Sequence, residues 1–219
     1  AKSIISNNMK INTVSLIPRI ISLFLIPVSL ILMPSCNRSK AGASASKVTN
    51  AEKLGFPKGS KVIILHCDDA GMCEEANIAV KNYFETGDIR SAAVMVPCEF
   101  AMDMVEWAKT QDSPDLGVHL TLTSEWHNWR WGTVADPARV PGLIDQEGKM
   151  WKSVPEVVTH ASAEEVETEV RAQIDRVIAA GYRPSHIDTH MGTLYGSPEY
   201  VRVFLKIAEE YRIPANAID

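Results

Sequence analysis

From residue 62 onward the chain alternates short apolar runs with amphipathic stretches. Val62, Ile63, Ile64 and Leu65 run without polar interruption into His66 and Cys67, which predicts a fully buried strand over 62–67. The run breaks into Asp68, Asp69, Ala70 and Gly71. Over 74–84, Ala76, Ala79, Val80 and Tyr83 recur at helical spacing, and Gly87 supplies the stop. A second strand is predicted over 89–96, closed by Pro97, and Phe100, Met104, Trp107 and Ala108 form the stripe of a second helix. The third strand, over 116–122, carries His119. Ser162 and Glu165 frame a capping box, and Val166, Val170, Ile174, Val177 and Ile178 continue its helix to Gly181. A strand over 185–190 follows. Ser197 and Pro198 then open a last helix, whose buried face is read as Val201, Phe204, Leu205, Ala208 and Tyr211. Arg212 and Ile213 begin what reads as one more strand.

Strands separated by helices imply an α/β fold with a parallel sheet. No G-x-G-x-x-G follows the first strand, which disfavours a dinucleotide-binding arrangement. A distorted TIM-type (β/α) barrel, incomplete at its C-terminal end, fits the order better. The stretch 123–155 has little periodicity and holds Trp126, His127, Trp129 and Trp131 with Pro137, Pro141 and Pro155. A connection of that length inside a domain is usually functional.

Composition adds a compartment. With 46% hydrophobic residues among 219, the chain supports one globular domain, expected over 59–219. Lys10 and Arg19 precede or flank an apolar run over 20–33, the length of a secretory signal core and short for a membrane span. The run ends in Pro34, Ser35 and Cys36, resembling a bacterial lipobox. The expectation is therefore a signal segment over 1–36, lipidation at Cys36, a flexible tether over 37–58, and an exported lipoprotein anchored to a membrane on the periplasmic or outer side. The net charge of −5 includes three basic residues and no acid in the first 35 positions, so the remainder is more acidic still. Such a surface excludes nucleic acid as the natural partner.

The chemistry gathers where strands end. Alternation over 185–190 places His186, Asp188 and His190 on one face of a strand. Asp68 and Asp69 are adjacent, and on a tight turn they need not point the same way. One of these carboxylates with His119 and His190 makes the three-ligand set of a catalytic metal site, and the other carboxylate serves as general base. Asp188 is counted with Asp68 among the catalytic carboxylates, and His186 as a group that orients ligands from behind. Blander readings exist for each piece: an Asp pair often caps a turn, and a lone histidine in an apolar run is often a core residue. Three such groups at successive strand ends favour the site.

Asp68-Asp69-Ala70-Gly71, then Gly117-Val118-His119, then Pro184-Ser185-His186-Ile187-Asp188-Thr189-His190 resemble, in order and spacing, the YdjC-like carbohydrate deacetylases. The likeness covers roughly residues 60–219. It implies a (β/α) barrel and one divalent metal ion, magnesium or zinc, held by Asp69, His119 and His190, with Asp68 as base. The implied reaction is hydrolysis of an N-acetyl group on an amino sugar. Ala70 stands where the family has an aromatic residue, Met191 to Leu194 replace a histidine-rich run, and the chain stops before the family's last strands. Those departures leave a second reading: a glycan-binding surface lipoprotein on the same fold without turnover. The same ligand set also serves non-haem iron, which a base beside the site disfavours. Trp126, His127, Trp129 and Trp131 are expected to form a sugar-stacking wall or to pack the long loop.

Overall fold

The computed structural model describes residues 48–216. The expected signal segment, Cys36 and the first half of the tether lie outside them. The first described element, α1 (Asn50–Lys53), is one helical turn closed by a capping box between Thr49 and Glu52, so the last part of the expected tether is helical.

The centre is a four-stranded parallel sheet in the order β1-β2-β3-β4, formed by β1 (His66–Ala70), β2 (Ser91–Val94), β3 (Asp115–Leu120) and β4 (Ile187–Thr189). Helices α2 (Glu74–Thr86) and α3 (Ala101–Lys109) join the first three strands. Three further helices, α4 (Val154–His160), α5 (Ala163–Ala179) and α6 (Pro198–Tyr211), follow the long connection and flank β4. Among the described residues the sheet is open, one wall of the expected barrel rather than a closed one. A single bridge from Ile187 to Ala215 begins a fifth position beside β4.

The two faces of the sheet differ in kind. Ala92, Val94, Leu116, Val118, Leu120 and Ile187 are buried with Val170, Ile174, Phe204 and Ile207 in one core. Alternation therefore turns His66, Ser91, Gly117, His119, His186 and Asp188 the other way. Most of these side chains line a cavity of about 760 Å³.

Several expectations shift. The apolar run at 62–65 is not a buried strand: Ile63 is 81% exposed, and pairing starts only at His66 opposite Ser91. β1 stands at the sheet edge, and the run before it pairs with no strand among the described residues. The buried face of α6 is Tyr200, Val203, Phe204 and Ile207, rotated from the predicted stripe, and Leu205 faces out. The stripe missed because Tyr200 is amphipathic: its ring is buried while its hydroxyl donates to the Val157 and Ala161 carbonyls, 3.1 and 2.7 Å away. Helix α4, with Pro155 in its first turn, begins at the very end of the stretch read as irregular.

That stretch is tied down by polar groups on α5. Glu169 and Gln173 sit on the buried side of the helix, fully covered. Glu169 accepts from the backbone N–H groups of Val134 and Ala135 at 3.0 and 2.8 Å. Gln173 accepts from Thr121 N–H and donates to Thr121 C=O, closing the end of β3 against the helix. Burial pushes the Glu169 carboxyl up to about 7, against those N–H donors.

Candidate metal centre

The register of β1 explains how two adjacent aspartates serve different places. Cys67 pairs with Ala92 and Ala70 with Val94, so two residues of β1 oppose one of β2, a bulge at Asp68 and Asp69. Asp69 takes a left-handed backbone with φ of 60°, unusual for a residue with a side chain. The turn continues through Gly71 at φ 85°, where an added Cβ would meet the Ala101 Cα at 2.7 Å. Asn77 of α2 clamps it, accepting from Gly71 N–H at 2.7 Å and donating to Phe100 C=O at 2.9 Å.

Turned by this bulge, Asp69 reaches one group of histidines. Its Oδ1 lies 3.3 Å from His119 Nε2 and 3.1 Å from His190 Nδ1. Both rings are buried. Each is held from behind by a further carboxylate: Asp188 Oδ1 lies 2.7 Å from His119 Nδ1, and Glu125 Oε1 lies 3.0 Å from His190 Nε2. His190 stands at the end of β4, where Met191 and Gly192 turn the chain with φ of 54° and 66°. Ligand atoms from Asp69, His119 and His190 lie within 4.8 Å of one another. Two imidazole nitrogens and a carboxylate, with the outer nitrogens already satisfied, fit a divalent metal ion of the zinc class.

Asp68 goes the other way, half exposed on the cavity side, with Oδ1 3.2 Å from His66 Nε2. Asp188 also faces His66, its Oδ2 3.3 Å from Nε2. His186 lies nearby, its ring 5.1 Å from that of His66. The three groups expected to share one face, His186, Asp188 and His190, thus divide between two adjoining clusters, with Asp188 between them.

The charges are mutually supporting. Hydrogen bonds from His119 and His190 hold the Asp69 carboxyl well below its ordinary range. Burial disfavours the His119 imidazolium, but Asp188 and Asp69 outweigh it and lift the group to about 9. Asp188, pushed up by burial and pulled down by His119 and His66, settles at about 2. His66 is raised to about 9 by Asp188 and Asp68.

The aromatic loop divides as well. Trp126 and Trp129 are half exposed, and Trp129 Nε1 donates to Met72 C=O at 3.1 Å. His127 is exposed and bonded only to Asn128. Trp131 is no part of a stacking wall: it is 5% exposed, packed with Met95, Cys98 and Met150, its Nε1 donating to Thr123 C=O. Its ring centroid lies 6.4 Å from that of His190, so it backs the candidate metal centre instead. Two site residues escaped the sequence reading. His66 is two positions before Asp68 on the same face of a strand, a signal that was available. Glu125 sits in an irregular stretch, where no spacing pointed to it.

The model of the YdjC-like protein family matches residues 62–218. The chain belongs to the YdjC-like family. It is 36% identical over 162 residues to a carbohydrate deacetylase of Thermus thermophilus, covering 74% of this chain and 55% of that protein. It is 34% identical over 154 residues to a carbohydrate deacetylase of Brevibacillus brevis, covering 70% and 58%. The chain thus spans little more than half the length of these curated relatives. A crystal structure from Enterococcus faecalis, described as that of a "putative cellobiose-phosphate cleavage protein", superposes with a TM-score of 0.63 at 26% identity, covering 69% of this chain and 57% of that one. The YdjC-like match includes the Asp68–Asp69 turn, His119 and the segment from His186 to His190, the residues that build both clusters.

Proposed function

We propose that this YdjC-like chain is a metal-dependent carbohydrate deacetylase, hydrolysing the N-acetyl group of an amino sugar on a barrel-type fold. The observation that carries the reading is the convergence of Asp69, His119 and His190 with a separate carboxylate, Asp68, half exposed beside them and paired only with His66. The names of the relatives support the same class of reaction.

A divalent ion bound there, magnesium or zinc, supplies Lewis acidity and lowers the pKa of a bound water. The chain's own residues do the rest. Asp68, on the cavity side, takes the proton of the attacking water as general base. Asp188 and Glu125 fix the ring orientations of His119 and His190, so Asp188 acts by positioning rather than at the reacting atoms. Trp126 and Trp129 offer exposed ring faces for a sugar. The apolar run before Cys36 supports export and lipid anchoring of the same enzyme, testable by radiolabelled palmitate incorporation that Cys36→Ala abolishes.

The test is acetate release from N-acetylglucosamine oligomers by the full-length, metal-loaded protein. Asp68→Asn and His119→Ala should each reduce it at least a hundredfold. If metal binds but no acetylated sugar is hydrolysed, the enzyme reading fails and glycan binding without turnover takes its place.

A further inference from the structure

Beside the Asp69 cluster, His66 and His186 share a property that hydrogen bonding within the protein does not account for. The Nε2 atoms of both rings are buried and have no hydrogen-bond partner. For His66 the nearest oxygens, on Asp68 and Asp188, are 3.2 and 3.3 Å away but poorly aligned with the ring. A buried ring nitrogen without a partner is costly, and native proteins rarely keep two side by side.

The opposite edges of both rings are fully engaged. His66 Nδ1 lies 2.7 Å from Ser91 Oγ. His186 Nδ1 lies 2.9 Å from Ser185 Oγ and 3.2 Å from Asp115 Oδ1. Ser185 Oγ in turn donates to Asp115 Oδ1, so one carboxylate oxygen gathers the hydroxyl and the ring. Asp115 Oδ1 and Ser185 Oγ thus engage the Nδ1 edge of His186, and Nε2 is the nitrogen left for a ligand. Through Ser91, the same carboxylate supports His66. A histidine held at Nδ1 by a carboxylate or hydroxyl, with Nε2 left unpaired in the wall of a cavity, has the pose of a metal ligand.

Gly117 shows how specifically the pocket is shaped. A Cβ there would lie 2.4 Å from His186 Nε2, so the ring occupies space that any other residue would fill. Asp188 completes the group, and ligand atoms of His66, His186 and Asp188 lie within 4.8 Å of one another.

We propose that His66, His186 and Asp188 bind a second divalent cation, of the zinc class, on the cavity side of the Asp69–His119–His190 centre. Two imidazoles and one carboxylate suit a borderline ion such as zinc, and leave a coordination position open toward the cavity. Asp188 links the two sites: Oδ2 faces the second cation while Oδ1 holds His119. The inference stands independently of the deacetylase reading, because it concerns stoichiometry and not turnover.

The test counts zinc. Tag-free full-length protein is stripped with chelator, dialysed against buffered Zn²⁺ and analysed for metal per chain, with far-UV circular dichroism to confirm folding. Wild type should hold two ions. His66→Gln, His186→Gln and His190→Gln should each hold one, and the His186→Gln/His190→Gln pair none. A Co²⁺ titration of wild type, read by visible absorption, should show two saturating steps and needs no variant. One ion per wild-type chain, lost in His190→Gln and kept in His66→Gln and His186→Gln, overturns the proposal. So do two ions that survive both of the latter substitutions. A single ion lost in His66→Gln and His186→Gln but kept in His190→Gln upholds this site and instead sinks the Asp69 centre.

Discussion

Asp188 Oδ1 stands 2.7 Å from His119 Nδ1, with both groups nearly inaccessible to water. The contact holds the ring so that Nε2 faces Asp69, and it makes the imidazole a better donor to a metal. Asp188→Asn keeps the shape but removes the charge. The expected result is a metal affinity about 10–100-fold weaker with the fold intact. Competition titration against a chromophoric zinc chelator, in a His66→Gln/His186→Gln background that lacks the second site, measures it; an unchanged affinity would mean that Asp188 does not orient this ligand.

The same carboxylates give the metal-free protein a defined pH dependence. His66 and His119 sit at about 9 in the fold, against about 6.5 in an unfolded chain. Their folded pKa values are raised, so their stabilising contribution is complete below about pH 6.5 and is lost as pH climbs through 9. Chelator-treated protein should therefore lose urea resistance steadily between those values. Metal affinity should move in the opposite sense, strengthening by up to about tenfold per pH unit for each proton displaced. A urea midpoint that is flat over this window would show that the two histidines are not held as imidazolium.

Trp129 and Trp131 are two residues apart and have opposite fates. Trp131 fills a small core with Met95, Cys98 and Met150, so Trp131→Ala should cost about 3–5 kcal/mol in denaturant unfolding. Trp129 is 45% exposed, and Trp129→Ala should change stability by less than about 1 kcal/mol. If Trp129 stacks on sugar, its loss raises KM for an acetylated oligomer several-fold while kcat holds. An unchanged KM removes it from the binding surface.

The parallel α/β sheet and the convergence of candidate ligands at its strand ends were legible in the sequence for one physical reason. Buried parallel strands are near-continuous apolar runs, and the residues that end them stand out as charged or aromatic against that background. Asp68, Asp69, His119 and His190 were all visible in this way. What was not legible depended on contacts distant in sequence. Glu125 reaches His190 across 65 positions from an irregular stretch, and Glu169 holds Val134 and Ala135 from the buried side of α5. A hydropathy stripe also cannot tell a covered apolar run from an uncovered one. Ile63 and Ile64 read as core and lie open at a sheet edge. Tyr200 read as polar and carries the face of α6.

Gly71 joins backbone geometry to the candidate metal centre, because the turn it completes is what swings Asp69 away from Asp68. Two costs fall on Gly71→Ala. The left-handed φ of 85° disfavours any Cβ by about 1 kcal/mol, and contact with Ala101 at 2.7 Å adds about 1–3 kcal/mol of overpacking. Gly148 separates the two, since it also has a left-handed φ, 74°, but meets nothing within 4 Å. Gly148→Ala should cost only the first part, about 1 kcal/mol, and leave metal binding alone. Gly71→Ala should cost about 2–4 kcal/mol and weaken metal affinity as Asp69 is displaced. Equal losses in the two variants, by urea titration, would mean that α3 yields to the added methyl and that the Asp68–Asp69 turn is not held by its packing on Ala101.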